Sequence, residues 1–432
     1  MKLEEENDTG EAETSASITG DVIGNTAYSE RFVLKILLKL ADSNTLEEEL
    51  KEKSFEEDLC ILWDMTSEKD VVLFLIKHDL FKLFCVAMPV FETLAEPERI
   101  LEVTIGIVAN MCCQREGVVA FLNTELLLSL VFQYLCSPDS PILIQLLRLI
   151  NSSLFHANED DLMDFLNIFD NVEFPRCLYF ILKNSTNKEL LVTALENFNS
   201  LCLFYNVEDL RSSFFYVFLM RDALDSVVAA FNELTVKQKD KCGKDETERI
   251  LVTSLQMAAN LAVFDESPEM FSENRANTVE MIHQILSYYE TKFFVEKEID
   301  TELVDIIESI NTVINMLDVS EISGPDQFFM PSYKMWKALA TITKETKTVT
   351  EEKNTITKEE KTIEAKTIAK EEKTIEAKPI CSDENLKKVL DKIGQDYETI
   401  LEAIDEEELK DFMENRAASY RTRLKDDVDS LC

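Results

Sequence analysis

Three histidines and ten cysteines are the side chains of this 432-residue chain best suited to chemistry. Neither set has the spacing that metal binding or nucleophilic catalysis needs. His78, His156 and His283 stand far apart, H-E-x-x-H is absent, and no two cysteines are spaced C-x-x-C. His156 precedes the acidic run Glu159-Asp160-Asp161, where a surface loop is expected rather than a general base. The chain has no G-x-S-x-G, no phosphate-binding P-loop and no G-x-G-x-x-G. With 83 Asp and Glu residues, carboxylate pairs arise everywhere by chance. The expectation is therefore a protein that is not an enzyme, with no metal and no cofactor. A hydrolase or transferase using surface carboxylates is the alternative.

One polar residue does recur. DLCILWDM, TIGIVANM, LLRLINSS, ALENFNSL, LQMAANLA and INTVINML each set a polar side chain after or inside an apolar helical stripe. The positions are Asp64, Asn110, Asn151, Asn199, Asn260 and Asn315, separated by 46, 41, 48, 61 and 55 residues. Armadillo and HEAT repeats run about 40–47 residues. The 61-residue interval carries a charged insertion, Lys237 to Arg249, and the last one a second insertion around Thr291 to Thr301. In an armadillo unit the last helix lines a concave groove, where an Asn can donate to and accept from the backbone of an extended peptide. The alternative is that each Asn bonds its own neighbouring turn or the next repeat, since a buried amide left unpaired would cost about 1–3 kcal/mol. The residues four before the Asn positions are Gly106, Leu147, Leu195, Gln256 and Asn311. None is the Trp with which armadillo-type nuclear-import adaptors grip lysine stems, so their cargo chemistry is not expected.

The elements that would hold such a column are helices. Gly is 8 and Pro 9 in the whole chain, against ordinary usage of about 7% and 5%, so tight turns are scarce. The reading is an all-α, armadillo/HEAT-like α-solenoid, in which no single unit can bury its own apolar stripe and stacking makes the chain fold. Between the aligned helices lie apolar segments at Val71–Leu83, Leu126–Leu135, Leu162–Phe169, Phe174–Leu182, Phe214–Phe231 and Val279–Tyr289, with a charged loop expected at Asp42–Lys53. Ser54, before Phe55-Glu56-Glu57, is read as a helix cap. Cys60, Cys85, Cys112, Cys136, Cys177 and Cys202 fall inside apolar runs, as reduced, buried thiols do.

Four regions follow. Residues 1–20 are an acidic, Ser/Thr-rich stretch expected to be disordered. Residues 21–343 are the repeat body, and residues 344–378, where KEEKTIEAK occurs twice, are a low-complexity spacer. Residues 379–432 are helical, with Leu386, Leu390, Ile393, Tyr397, Ile400 and Ile404 at coiled-coil spacing. A homodimer through residues 386–404 is thus a further reading.

Net charge is −39, of which −27 belongs to residues 21–343. Such a field repels phosphate backbones, so nucleic acid is not expected as a ligand; a protein or a basic peptide is. The acidic MKLEEEND start has no apolar segment of a signal peptide, which points to an intracellular protein. The most apolar 20 residues, Gly117 to Cys136, contain Asn123, Glu125 and Gln133 and read as a core helix pair rather than a membrane span.

DVIGNTAYS (21–29), LCILWDMTSEKDVVLFL (59–75), RILEVTIGIVANMCCQRE (99–116) and STNKELLV (185–192) together resemble the serum amyloid A-like, synoviocyte proliferation-associated family. The resemblance covers about the first 200 residues. It implies an armadillo-like helical fold, nuclear residence and a link to promoting cell proliferation, and it supplies no catalytic residues.

Overall fold

A computed structural model describes residues 21–202, 217–218, 222–238, 242–264, 267–294, 302–317 and Met335. These residues form seventeen packed α-helices and no strand, so the protein is all-α. The expected acidic N-terminal stretch 1–20, the spacer 344–378 and the segment 379–432, with its coiled-coil positions 386–404, lie outside the described residues. Contacts divide the chain into two compact units, Met1–Phe174 and Pro175–Cys432.

The first unit holds α1 (Glu30–Leu40), α2 (Ser43–Glu49), α3 (Lys53–Met65), α4 (Lys69–Lys77), α5 (Leu80–Phe91), α6 (Glu98–Met111), α7 (Arg115–Leu122), α8 (Glu125–Phe132), α9 (Ser140–His156) and α10 (Glu159–Asn171). Every third helix packs on its counterpart. α3 lies on α6 and α6 on α9; α2 lies on α5 and α5 on α8; α4 lies on α7. That is the register of three-helix units stacked in order. It explains why the aligned segments around Asp64, Asn110 and Asn151 fall on successive helices of one layer. α6, the central helix of that layer, buries ten of its residues from Ile100 to Met111. An aromatic row crosses the other layers: Phe81, Phe121, Phe132, Phe169 and Phe174 follow one another at ring-centroid distances of 6.0, 6.3, 6.3 and 5.0 Å. Edge and tilted contacts of this kind add to area burial.

Caps set where several helices begin. The Asp139 carboxylate accepts from Ile142 N at 2.9 Å and Pro141 sits in the first turn of α9. Asn158 and Asp161 close a reciprocal capping box on α10. Ser54 is not a cap: it lies inside α3, which starts at Lys53 behind Glu52. The Asp42–Lys53 stretch is not all loop, because it contains α2, whose buried residue is Leu46 alone. The continuous helix expected at Val71–Leu83 is two, broken at His78–Asp79, where Asp79 takes a left-handed φ of 57°.

The Gly117–Cys136 stretch is the helix pair expected, α7 and α8 with a short 3-10 turn, bent by 91°. No single helix among the described residues is long and apolar enough to cross a membrane.

The second unit holds α11 (Phe174–Asn184, all but its first residue), α12 (Lys188–Leu201), α13 (Asp222–Asn232), α14 (Lys244–Leu261), α15 (Ser267–Glu273), α16 (Arg275–Phe294) and α17 (Glu302–Met316). α12 packs on α14 and α14 on α17, again placing three aligned polar positions on one layer. The charged insertion Lys237–Arg249 is only half a loop, since α14 begins at Lys244. Burial alone does not fix the thiols: Cys112 and Cys202 are buried, whereas Cys136, also expected inside, is exposed.

Candidate functional site

The layer α3–α6–α9 presents one stripe of accessible residues per helix. Cys60, Trp63 and Asp64 mark it on α3, Arg99, Glu102 and Asn110 on α6, and Arg148, Ser152 and Phe155 on α9. Spacings of three, four and seven residues on α3 and α9, and of three, eight and eleven on α6, keep these side chains on one helix face.

Trp63 and Gly106 meet at the centre. A Cβ built on Gly106 would stand 2.3 Å from Trp63 Cε2, so only glycine lets the indole lie against α6. The sequence places a glycine at this mid-helix position, but does not say which neighbour it admits. A Trp does reach this groove position, brought by the adjacent helix rather than carried at position 106.

Arg99 closes over the same ring. Its guanidinium carbon stands 5.9 Å from the Trp63 ring centroid, its Nη1 donates to Glu102 Oε2 at 2.6 Å, and its Nη2 points to Cys60 Sγ at 3.6 Å. The Glu102 hydrogen bond raises the Arg99 pKa further, so the cation is permanent. The Arg99 side chain is 49% exposed and that of Glu102 only 15%.

The six predicted positions divide by use. Asn110 Nδ2 donates to Trp63 O at 3.2 Å and to Thr66 Oγ1 at 3.1 Å, tying α6 to the end of α3 on either side of Asp64. Its Oδ1 accepts no hydrogen bond among the described residues. Asn260 Nδ2 donates to Asn199 Oδ1 at 3.2 Å, and Asn199 Nδ2 donates to Gln256 Oε1 at 3.4 Å, a ladder between α12 and α14. The side chains of exposed Asp64 and Asn315 and half-buried Asn151 make no hydrogen bond among the described residues. Beside Asn151, Cys113 Sγ donates to Ser152 Oγ at 3.4 Å. The vicinal partner Cys112 faces the other way, fully buried, and burial pushes its thiol up to about 12. A vicinal redox pair is not what this arrangement offers.

Sequence reasoning missed Trp63, Thr66 and Arg99, whose contacts join residues 36 to 47 positions apart, and Glu102, which bonds Arg99 three residues away. It also missed the buried amides Asn197 (0% exposed) and Asn311 (3%), which lie two and four residues before predicted positions. The glycine in mid-helix was the single trace of the Trp63 seat.

Among the described residues, no group of three or more His, Cys, Asp or Glu side chains could hold a metal ion. What the fold and this face define is an all-α protein of stacked helical units with a polar, aromatic-centred layer surface. Comparison with known proteins places it more closely: the chain is a distant homologue of vertebrate SAAL1 proteins, as the four stretches indicate. It is 31% identical over 214 residues to Protein saal1 of Danio rerio, covering 47% of this chain and 43% of that one. It is 30% identical over 189 residues to Protein SAAL1 of Homo sapiens, covering 40% and 38%. The match thus spans about two fifths of the length of those relatives. No protein-family model matches the chain.

Proposed function

We propose that this chain is a non-enzymatic helical-repeat scaffold that binds a protein or basic peptide in extended form along the α3–α6–α9 face. One observation carries the reading. The Asp64 carboxylate, the Oδ1 of Asn110 and the side-chain amide of Asn151 stand on three successive helices of one layer without a hydrogen bond among the described residues. Polar groups repeated at helix-to-helix spacing suit a ligand backbone running across the layer, because each can meet an N–H or C=O without choosing a side chain. The −27 charge of the body draws a cationic ligand toward it. The family resemblance of the four sequence stretches supports extending this proposal to nuclear residence and a role in promoting cell proliferation.

The test is direct binding of a fluorescent arginine-rich nonapeptide, followed by anisotropy at low and high salt. Asn110→Ala with Asn151→Ala should weaken binding about tenfold, and added salt should weaken it in every variant. Binding that ignores both changes would sink the groove reading.

A further inference from the structure

We infer that Arg99 is an internal stand-in for the ligand: it fills a guanidinium-recognition site formed by the Trp63 ring and the Glu102 carboxylate, and an arginine of an incoming peptide must displace it. The inference rests on the binding reading above and names the chemistry of the partner.

The site has what a planar cation asks for. An aromatic face and a carboxylate converge on one point, 5.9 Å and 2.6 Å from the guanidinium that occupies it. The ring is held in place, because its Cε2–Cζ2 edge is seated on Gly106. Glu102 is held mostly out of solvent, whereas the arginine that neutralises it is half exposed and swings on a flexible stem from the first turn of α6. The acceptor is therefore fixed and the cation is the movable part. Asn110, which ties to the Trp63 carbonyl, has an unfilled acceptor on the same stripe, so a peptide with its arginine over Trp63 would meet it next.

The geometry also sets a preference. Lysine could satisfy Glu102 but offers no flat face to the indole, so arginine is the favoured residue. Wild-type affinity is lowered by the cost of moving Arg99 off the ring and the carboxylate. Removing Arg99 should then tighten binding by about five- to tenfold, the worth of one exposed cation–π contact with one exposed ion pair.

The experiment uses the full chain and the arginine-rich nonapeptide, with an equally charged lysine peptide beside it. Arg99→Ala and Arg99→Gln should each bind the arginine peptide about five- to tenfold more tightly than wild type and gain less for the lysine peptide. Glu102→Gln added to either should remove the gain. In a Trp336→Phe background, Trp63 emission should respond to the arginine peptide more strongly once Arg99 is gone. Arg148→Ala is the control: it removes an equal charge from α9, where the arginine bonds Gln145 at 2.8 Å rather than an indole. An equal gain from Arg148→Ala would overturn the inference, since charge alone would explain it. No gain from either Arg99 variant, with the Asn110 and Asn151 changes still weakening binding, overturns the inference and leaves the groove reading standing. No binding by any variant overturns both.

Discussion

The two compact units employ the same residue type on matched helices of their layers, yet to different ends. In the first, Asn110 donates to a backbone carbonyl and a buried threonine hydroxyl at the end of the preceding helix. In the second, Asn199 and Asn260 meet each other and Gln256 at an exposed seam, side chain to side chain. The first arrangement fixes one helix end against another and spares an acceptor. The second joins two helices through side chains alone, in a ladder that water can replace. A recurring polar residue therefore marks a position in the helix layer, not a single role, and among the described residues the first unit sets it against the backbone of an indole-bearing residue.

The sharpest way to break the first unit's arrangement is Gly106→Ala. The new methyl would stand 2.3 Å from Trp63 Cε2 and 2.4 Å from Cζ2, so either the indole leaves or the helices part. Overpacking of this kind costs about 3 kcal/mol. Chemical denaturation should show the loss, and Trp63→Ala should recover part of it in the double variant. A full additive loss would mean that the glycine serves something other than the indole.

Alkaline pH tests where the units ought to agree. Burial pushes Cys112 in the first and Cys202 in the second up to about 12, from an ordinary 9.0. The folded state keeps these thiols protonated where the unfolded chain has lost the proton. Their stabilising effect is thus complete below pH 9 and is lost as pH rises from 9 toward 12. The loss should run at about 1.4 kcal/mol per pH unit for each thiol. Urea midpoints at pH 8, 9, 10 and 11 would follow it, and Cys112→Ala or Cys202→Ala should each flatten the slope. Only one of the two flattening it would break the equivalence.

Much of this was legible in the sequence because it rested on periodicity. The apolar stripes placed all six aligned segments on helices, and the spacing of the polar residues put them on matched helices of each layer. What stayed hidden depended on single residues or on distant pairs. Asp79 breaks a helix through one left-handed backbone, with apolar residues continuing on both sides. α2 hides in a charged run because Leu46 alone anchors it. Trp63 and Gly106 are 43 residues apart, and neither alone announces the other.

Asn110→Ala should cost about 1.5 kcal/mol, since two donated bonds vanish, one to a half-buried carbonyl and one to a buried hydroxyl. Asn199→Ala should cost only about 0.5 kcal/mol, because water solvates the exposed Asn260 and Gln256 amides once the ladder is cut. The informative quantity is the difference. A double-mutant cycle between Asn199→Ala and Asn260→Ala should return a coupling below about 0.5 kcal/mol, whereas Asn110→Ala with Thr66→Val should couple by about 1 kcal/mol, through a bond made where Thr66 is only 2% exposed. If the second unit's pair coupled as strongly as the first unit's, the seam between α12 and α14 would be shielded from water. The exposed ladder would then be as much a structural tie as Asn110, and the difference drawn between the two units would disappear.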